Sequence, residues 1–257
     1  MRRIVILLIL QIIATGFCFG QLPHTFTQYT SEDGLSQNTI MSILQDDKGV
    51  MWFATWDGLY KFDGYTFNNY KAHPGDSIGL SNNRLDNIKE DRYGYIWVQS
   101  YNHQVYRFNP RLERFQAIPY DNYLSLDMYV LPCGDVWIIT VQNELIHIST
   151  HPKTHEMKAT DFFKSHQISY SEPIKSIFQD SRENQWILTE NGLYRLTRNG
   201  NEEKLSSYFV APPEKDKQPF YDALENNHTI YFTSKQGCVY EYNPDTGQFV
   251  RQEFPTG

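Results

Sequence analysis

The feature that most constrains this chain is a motif that returns every 40–49 residues. Its first copy reads Ser42-Ile-Leu-Gln-Asp-Asp-Lys-Gly-Val-Met-Trp52-Phe-Ala-Thr55, then Gly58-Leu-Tyr-Lys-Phe62. The second is Asn87-Ile-Lys-Glu-Asp-Arg-Tyr-Gly-Tyr-Ile-Trp97-Val-Gln-Ser100 with Val105-Tyr-Arg-Phe108, and the third is Cys133-Gly-Asp-Val-Trp137 with Leu145-Ile-His-Ile148. The fourth is Ser176-Ile-Phe-Gln-Asp180 with Trp186-Ile-Leu-Thr189, and a weaker fifth puts Tyr231 in place of the tryptophan. The anchors 52, 97, 137, 186 and 231 stand 45, 40, 49 and 45 residues apart. A period of this length is the mark of a propeller, in which each unit buries its faces only against its neighbours.

Within each unit the turn chemistry divides the chain into strands. Asp46-Asp47-Lys48-Gly49 separates Ile43 from Trp52-Phe53; Trp56-Asp57-Gly58 precedes Leu59–Phe62; Asp63-Gly64 precedes Tyr65–Tyr70. Asp-Gly pairs between short apolar runs are hairpin signals. Four short antiparallel strands per period make one blade. The expected fold is therefore an all-β propeller of about five blades, near residues 36–70, 81–117, 124–160, 172–210 and 220–253. Trp52, Trp97, Trp137, Trp186 and Tyr231 are read as packing residues between blades. Aromatics at 15 % of the chain agree with a strand-rich fold. A second repeat, Gly34-Leu35-Ser36-Gln37-Asn38, returns as Gly79-Leu80-Ser81-Asn82-Asn83 at the same 45-residue offset.

Residues 1–20 read as a secretory signal peptide. A basic Met1-Arg2-Arg3 precedes the apolar run Ile4–Phe17, and Cys18 and Gly20 stand at −3 and −1 of a cut before Gln21. The run is short for a bilayer span. The chain carries −7, and loss of Arg2 and Arg3 leaves 21 Lys and Arg against 30 Asp and Glu, a net −9. An acidic chain without a basic stripe is a poor partner for nucleic acid or anionic lipid. Cys133 and Cys238 are read as separate thiols rather than a bridge, since sequence alone brings nothing to show them adjacent.

Phe26-Thr27-Gln28-Tyr29 resembles Phe67-Asn68-Asn69-Tyr70, yet Gln248–Arg251 already supplies the outer strand of the fifth blade. Residues 26–29 therefore read as an orphan strand, and the chain as part of a larger ring in a longer protein.

The pattern Asp33-Gly34-Leu35-Ser36, Gln45-Asp46 to Gly49, Trp52, Thr55, Gly58-Leu59-Tyr60, Phe62-Asp63-Gly64 and Phe67 resembles the two-component regulator propeller repeat. The resemblance spans residues 26 to about 252. It is weaker in the third copy, where Gln142-Asn143-Glu144 replaces the glycine turn. It implies the periplasmic sensor of a bacterial hybrid two-component system, built as seven-bladed rings, usually in tandem. An immunoglobulin-like domain, a membrane helix, a histidine kinase, a receiver and a helix-turn-helix regulator normally follow. None of these is seen in this sequence. Membrane attachment and any homodimer would come through those downstream segments.

The turns between second and third strands, and the connections from one blade to the next, fall on one face. That face carries the candidate ligand-binding residues Trp56, Asp57, Arg84, Tyr101, His103 and Glu190, within the wider set Asp33–Asn38, Lys71–Arg84, Tyr101–His103 and Glu190-Asn191. Rings that stack on sugars and amides that bond hydroxyls suit an oligosaccharide or other small ligand. The same residues also suit plain turn formation. Asp47-Lys-Gly49-Val-Met-Trp52 is similar to the Asp-box turn of sialidases, a structural turn. Glycosidase chemistry needs two carboxylates across one sugar, and the scattered acids single out no pair. His151 and His155 have a helical metal spacing but flank Pro152, which favours a loop. Asn227-His-Thr229 matches a glycosylation sequon by pattern only. No phosphate loop or nucleophile elbow is found, and no cofactor or metal is expected. The leading reading is a ligand-sensing exported propeller responding to glycan fragments. A propeller-fold carbohydrate-active enzyme and an inactive truncated scaffold remain the alternatives.

Overall fold

The computed structural model describes residues 26–72, 79–168, 173–199, 202–209 and 219–252. The leader reading at residues 1–20 lies outside them. The described chain folds as a β-propeller array of five four-stranded antiparallel sheets, each in simple chain order. Blade one holds β1 (Ile40–Gln45), β2 (Met51–Thr55), β3 (Gly58–Phe62) and β4 (Phe67–Tyr70). Blade two holds β5 (Leu85–Glu90), β6 (Ile96–Ser100), β7 (Val105–Asn109) and β8 (Arg114–Ala117). Blade three holds β9 (Ser125–Val130), β10 (Val136–Thr140), β11 (Leu145–Thr150) and β12 (Met157–Asp161), and runs into the four-residue helix α1 (Phe162–Ser165). Blade four holds β13 (Ile174–Gln179), β14 (Gln185–Thr189), β15 (Gly192–Asn199) and β16 (Glu202–Tyr208). Blade five holds β17 (Phe220–Asn226), β18 (Thr229–Ser234), β19 (Val239–Asn243) and β20 (Gln248–Gln252).

The turn from first to second strand explains why tryptophan recurs. In blade one, Asp46 Oδ1 accepts from the backbone N–H of Lys48 and Val50, at 3.0 and 2.9 Å. Its other oxygen accepts the Trp52 indole N–H at 2.9 Å. Asp91 does the same for Tyr93, Tyr95 and Trp97, and Asp180 for Arg182, Asn184 and Trp186. One carboxylate thus closes the turn and satisfies the only polar atom of a buried indole. The acid that does this is Asp46, one residue before the Asp47 of the Asp-box-like pattern. The turn needs N–H groups two and four residues on, and from Asp46 these are Lys48 and Val50. Asp47 instead presents its own N–H to Glu90, at 3.0 Å.

The four repeat tryptophans, Trp52, Trp97, Trp137 and Trp186, are at most 1 % exposed, and each points at the blade that follows. Trp52 joins Ile88, Ile96 and Val98 in one core cluster, and Trp97 joins Met128, Val136 and Ile138. Trp137 meets Ile177 and Ile187, and Trp186 meets Phe220 and Phe232. Four clusters therefore join five blades in a row, and among the described residues no core cluster joins blade five to blade one. The two end faces show the consequence. Tyr231 holds the tryptophan position of blade five and is only partly buried, because nothing described lies beyond it. Leu224 beside it is 65 % exposed. At the other end Ile43 is 58 % exposed, while its equivalents Ile88, Met128 and Ile177 are buried.

Phe26–Tyr29, expected as an orphan strand, is not a strand. No described ladder includes it, and β19 is bonded on both sides by β18 and β20. Tyr29 instead sets its ring against Phe62 and Phe67 of blade one, at 5.0 and 5.6 Å between centroids. Ring packing needs no extended backbone, so the resemblance to Phe67–Tyr70 did not carry over into pairing.

A second device links neighbours. Glu90, the last residue of β5, accepts from the Asp47 N–H in the preceding turn. Gln179 reaches back to Cys133 N at 3.1 Å, and Glu225 to Ser181 N at 2.6 Å. Between blades two and three the position holds Val130, which cannot accept, and Arg92 donates instead to the Cys133 carbonyl at 3.0 Å. Cys133 and Cys238 are unbridged.

Truncating a tryptophan that faces a neighbour should be costly. Trp97→Ala is expected to lose about 3–5 kcal/mol as a large core deletion. Tyr231→Ala, at the equivalent but half-open position, should lose about 1 kcal/mol or less, as surface changes do. Urea unfolding of both variants checks the contrast, and equal losses would mean that the fifth blade's outer face is covered.

Candidate functional site

The face formed by the second-to-third-strand turns is set by a buried hydroxyl at the end of each second strand. Thr55 Oγ1 donates to Gly58 O at 3.0 Å and accepts Asp57 N at 3.0 Å, and Thr189 repeats both bonds with Gly192 and Asn191. Gly58 is required here: at φ +113 only glycine turns freely, and a Cβ would sit 2.6 Å from Tyr70 O. Where glycine is missing, His103 and Asn143 take the left-handed conformation, at φ 62 and 64. Asparagine visits that region readily, which is how the third copy keeps the turn. The residue after each second strand then projects at the rim: Trp56, Tyr101, Val141, Glu190 and Lys235. In blades two to five its N–H bonds the carbonyl just before the blade's first strand, namely Arg84, Leu124, Pro173 and Pro219.

This ladder brings three of the proposed residues together. The Arg84 guanidinium lies 4.1 Å from the Trp56 ring centroid and 3.8 Å from that of Tyr101. Both rings remain open to solvent, at 42 % and 52 % exposure. The position of Arg84 is occupied by leucine or proline at the later junctions, so the stack is peculiar to blades one and two.

Beside it, the second sequence repeat finds its purpose. Leu35 and Leu80 are buried, and the serine that follows each enters a hydroxyl network. Ser36 bonds Asp57 and Tyr60. Ser81 bonds Tyr106 at 2.7 Å and Asn102 at 2.9 Å. Asp57 also pairs with Lys71. Burial raises the Asp57 pKa, but Lys71, Ser36 and Tyr60 outweigh it and hold the carboxyl below its usual range. Asp57 is thus a charge-neutralised anchor next to the aromatic stack. Residues 73–78 of the proposed Lys71–Arg84 loop lie outside the described residues.

Two proposed residues do other work. His103 Nδ1 donates to Ser125 O at 2.9 Å while its own carbonyl accepts Ser125 N at 2.8 Å, which ties blade two to blade three. Glu190 sits two blades from the stack and pairs with Lys175 at 3.5 Å. His151 and His155 occupy the turn between β11 and β12. His151 accepts from Thr154 N at 3.1 Å, and His155 stands edge-on to Tyr93 and Tyr95.

Two features had no clear sequence signal. At the opposite end of the blades, where first turns into second strand, a cleft of about 610 Å³ is lined by Asp47, Glu90, Tyr93, Tyr95, Arg111 and His155. Burial, then the nearby Asp47, raises the Glu90 pKa, although the bond from Asp47 N opposes this. Between blades three and four lies a buried polar cluster. Blade three has Leu131 where blades one, two and four have the capping aspartate, so Trp137 bonds Gln185 Oε1 of the next blade at 2.7 Å. Gln185 Nε2 bonds Asp135 at 2.7 Å, and Asp135 also meets His147 at 3.1 Å and Arg198. Burial would raise the Asp135 pKa, but His147, Arg198 and Gln185 hold it well below the carboxylate range. Burial pushes the Cys133 thiol up to about 11.

Residues 34–57 match the two component regulator propeller family. The chain carries that repeat. Over 56 residues it is 48 % identical to histidine kinase P4 of Formosa agariphila, a match that covers 22 % of this chain and 4 % of the kinase. Among solved structures, it is similar to the extracellular domain assigned to a one component system of B. thetaiotaomicron. That likeness has TM-score 0.54 and 19 % identity, over 85 % of this chain and 28 % of the other. It is also similar to PorZ, a surface component of the type-IX secretion system of Porphyromonas gingivalis, with TM-score 0.55 and 13 % identity over 83 % and 34 % of the two chains. The structural likenesses are likenesses of fold. No helix among the described residues is long and apolar enough to cross a membrane.

The depressed pKa of Asp135 makes a pH prediction. Its ionised form is favoured by folding, so its contribution is present above about pH 4, the unfolded value, and is lost as pH falls towards the lower folded value. Thermal melts from pH 6 to pH 2 should show a steeper fall in Tm for the wild type than for Asp135→Asn. At neutral pH, Asp135→Ala should cost about 3–5 kcal/mol by leaving Arg198 without its buried partner.

Proposed function

We propose that this chain is an exported, periplasmic sensor propeller of a two-component regulator, and that it binds oligosaccharide rather than turning it over. The observation that carries the binding reading is the solvent-open stack of Trp56, Arg84 and Tyr101. Repeats preserve what packing needs, and among the described junctions this one alone places an arginine between two exposed rings. Flat rings held at fixed spacing suit the apolar faces of sugars, and the neighbouring Asn102 and Ser81 supply hydroxyl partners. The two component regulator propeller repeat and the local identity to a histidine kinase support the regulatory role. In this reading the leader is cleaved after Gly20, and a signalling module acts downstream of the propeller.

Titration of the purified exported chain with a panel of plant and host oligosaccharides, followed by tryptophan fluorescence and calorimetry, tests the proposal. At least one saccharide should bind, and Trp56→Ala or Tyr101→Ala should each weaken it about tenfold or more, equivalent to about 1.4 kcal/mol. Binding that survives both substitutions would move the site elsewhere, and release of cleaved sugar would turn the reading to an enzyme.

A further inference from the structure

The stack also bears on which saccharide is bound, an inference that rests on the oligosaccharide reading above. The Arg84 backbone is fixed on both sides: its N–H bonds Asn82 Oδ1 at 2.8 Å and its carbonyl accepts Tyr101 N at 2.9 Å. Trp56 and Tyr101 cover the two faces of the guanidinium. A guanidinium covered on both faces has only its edge left, and that edge carries all five N–H donors in a rigid fork.

Among the described residues those donors have no hydrogen-bond partner. Nε is buried without an acceptor, and among the described residues no carboxylate pairs with Arg84. Asp57, the residue immediately before β3, is already taken by Lys71, Ser36 and Tyr60. Other arginines behave differently. Arg195 also lies beside aromatic rings, but it bonds the Tyr242 hydroxyl. Arg198 bonds Asp135 and Glu203, and Arg107 bonds Gln116 and the His155 carbonyl. Arg84 is thus a positioned, partly desolvated and uncompensated cation on an otherwise acidic chain.

We propose that Arg84 reads a carboxylate and that the ligand is an acidic oligosaccharide carrying uronic-acid residues. The sugar carboxylate would accept two parallel N–H···O bonds from the guanidinium edge, the geometry in which arginine binds carboxylates most selectively. The outer faces of Trp56 and Tyr101 would carry sugar rings on either side. Lysine could keep the charge but not the fork.

Calorimetry with trimers of galacturonate, mannuronate and glucuronate, each beside its carboxyl-reduced neutral counterpart, tests this on the full chain. The wild type should bind at least one acidic trimer tenfold or more tighter than its neutral counterpart. Arg84→Gln and Arg84→Lys should both abolish that preference while keeping the wild-type circular dichroism spectrum and Tm. If neutral trimers bind as well as acidic ones and need Trp56 and Tyr101, the acid reading falls and the oligosaccharide reading stands. If Arg84→Lys retains the full preference, charge alone suffices and the fork is overturned. If no saccharide of either kind binds, both readings fall.

Discussion

The structure depends on one hydrogen-bonded unit, a carboxylate that holds a turn with one oxygen and a buried indole with the other. Asp46, Asp91 and Asp180 each do this. Hydrogen bonds to a charged acceptor contribute about 1.5–3 kcal/mol, more than neutral ones. The larger effect is geometric. With the indole N–H satisfied inside its own blade, the whole ring is free to be apolar contact for the next one. The bond is local, and the burial it permits is not.

Blade three shows what happens when the unit is absent. With leucine at the aspartate position, Trp137 takes an acceptor from the following blade, and that acceptor, Gln185, must be held by Asp135. Asp135 in turn is compensated by His147 and Arg198. A bond that stays within one blade elsewhere has become a chain of buried polar groups across two. Such a network is stabilising only when every member is satisfied, so it is the least tolerant part of the core.

Much of the fold was legible in the sequence because its signals are local. Asp-Gly turns and the spacing of the tryptophans place twenty strands without reference to the rest of the chain. What escaped was set by tertiary distance. Choosing Asp46 over Asp47 requires knowing which backbone N–H groups converge. Arg84, Trp56 and Tyr101 were all sequence candidates, but Arg84 lies 28 residues from Trp56, and its place between the two rings comes only from the stacking of two blades. His103 had the same composition-level appeal as its neighbour Tyr101, but its positive φ and its bond to Ser125 make it part of the frame.

The reach of Glu90, Gln179 and Glu225 back to the preceding turn has a direction. At three of the four junctions a blade's turn is completed by its successor, while between blades two and three the contact runs the other way, from Arg92 to Cys133, so the row has a prevailing direction. In a one-dimensional array such asymmetric coupling makes the two ends unequal. The turn of blade one is held from outside, whereas that of blade five, Asn226–Thr229, has no such partner among the described residues. Amide exchange should therefore begin at the fifth blade and travel backwards, and a strain applied at one end would be felt differently from the same strain at the other.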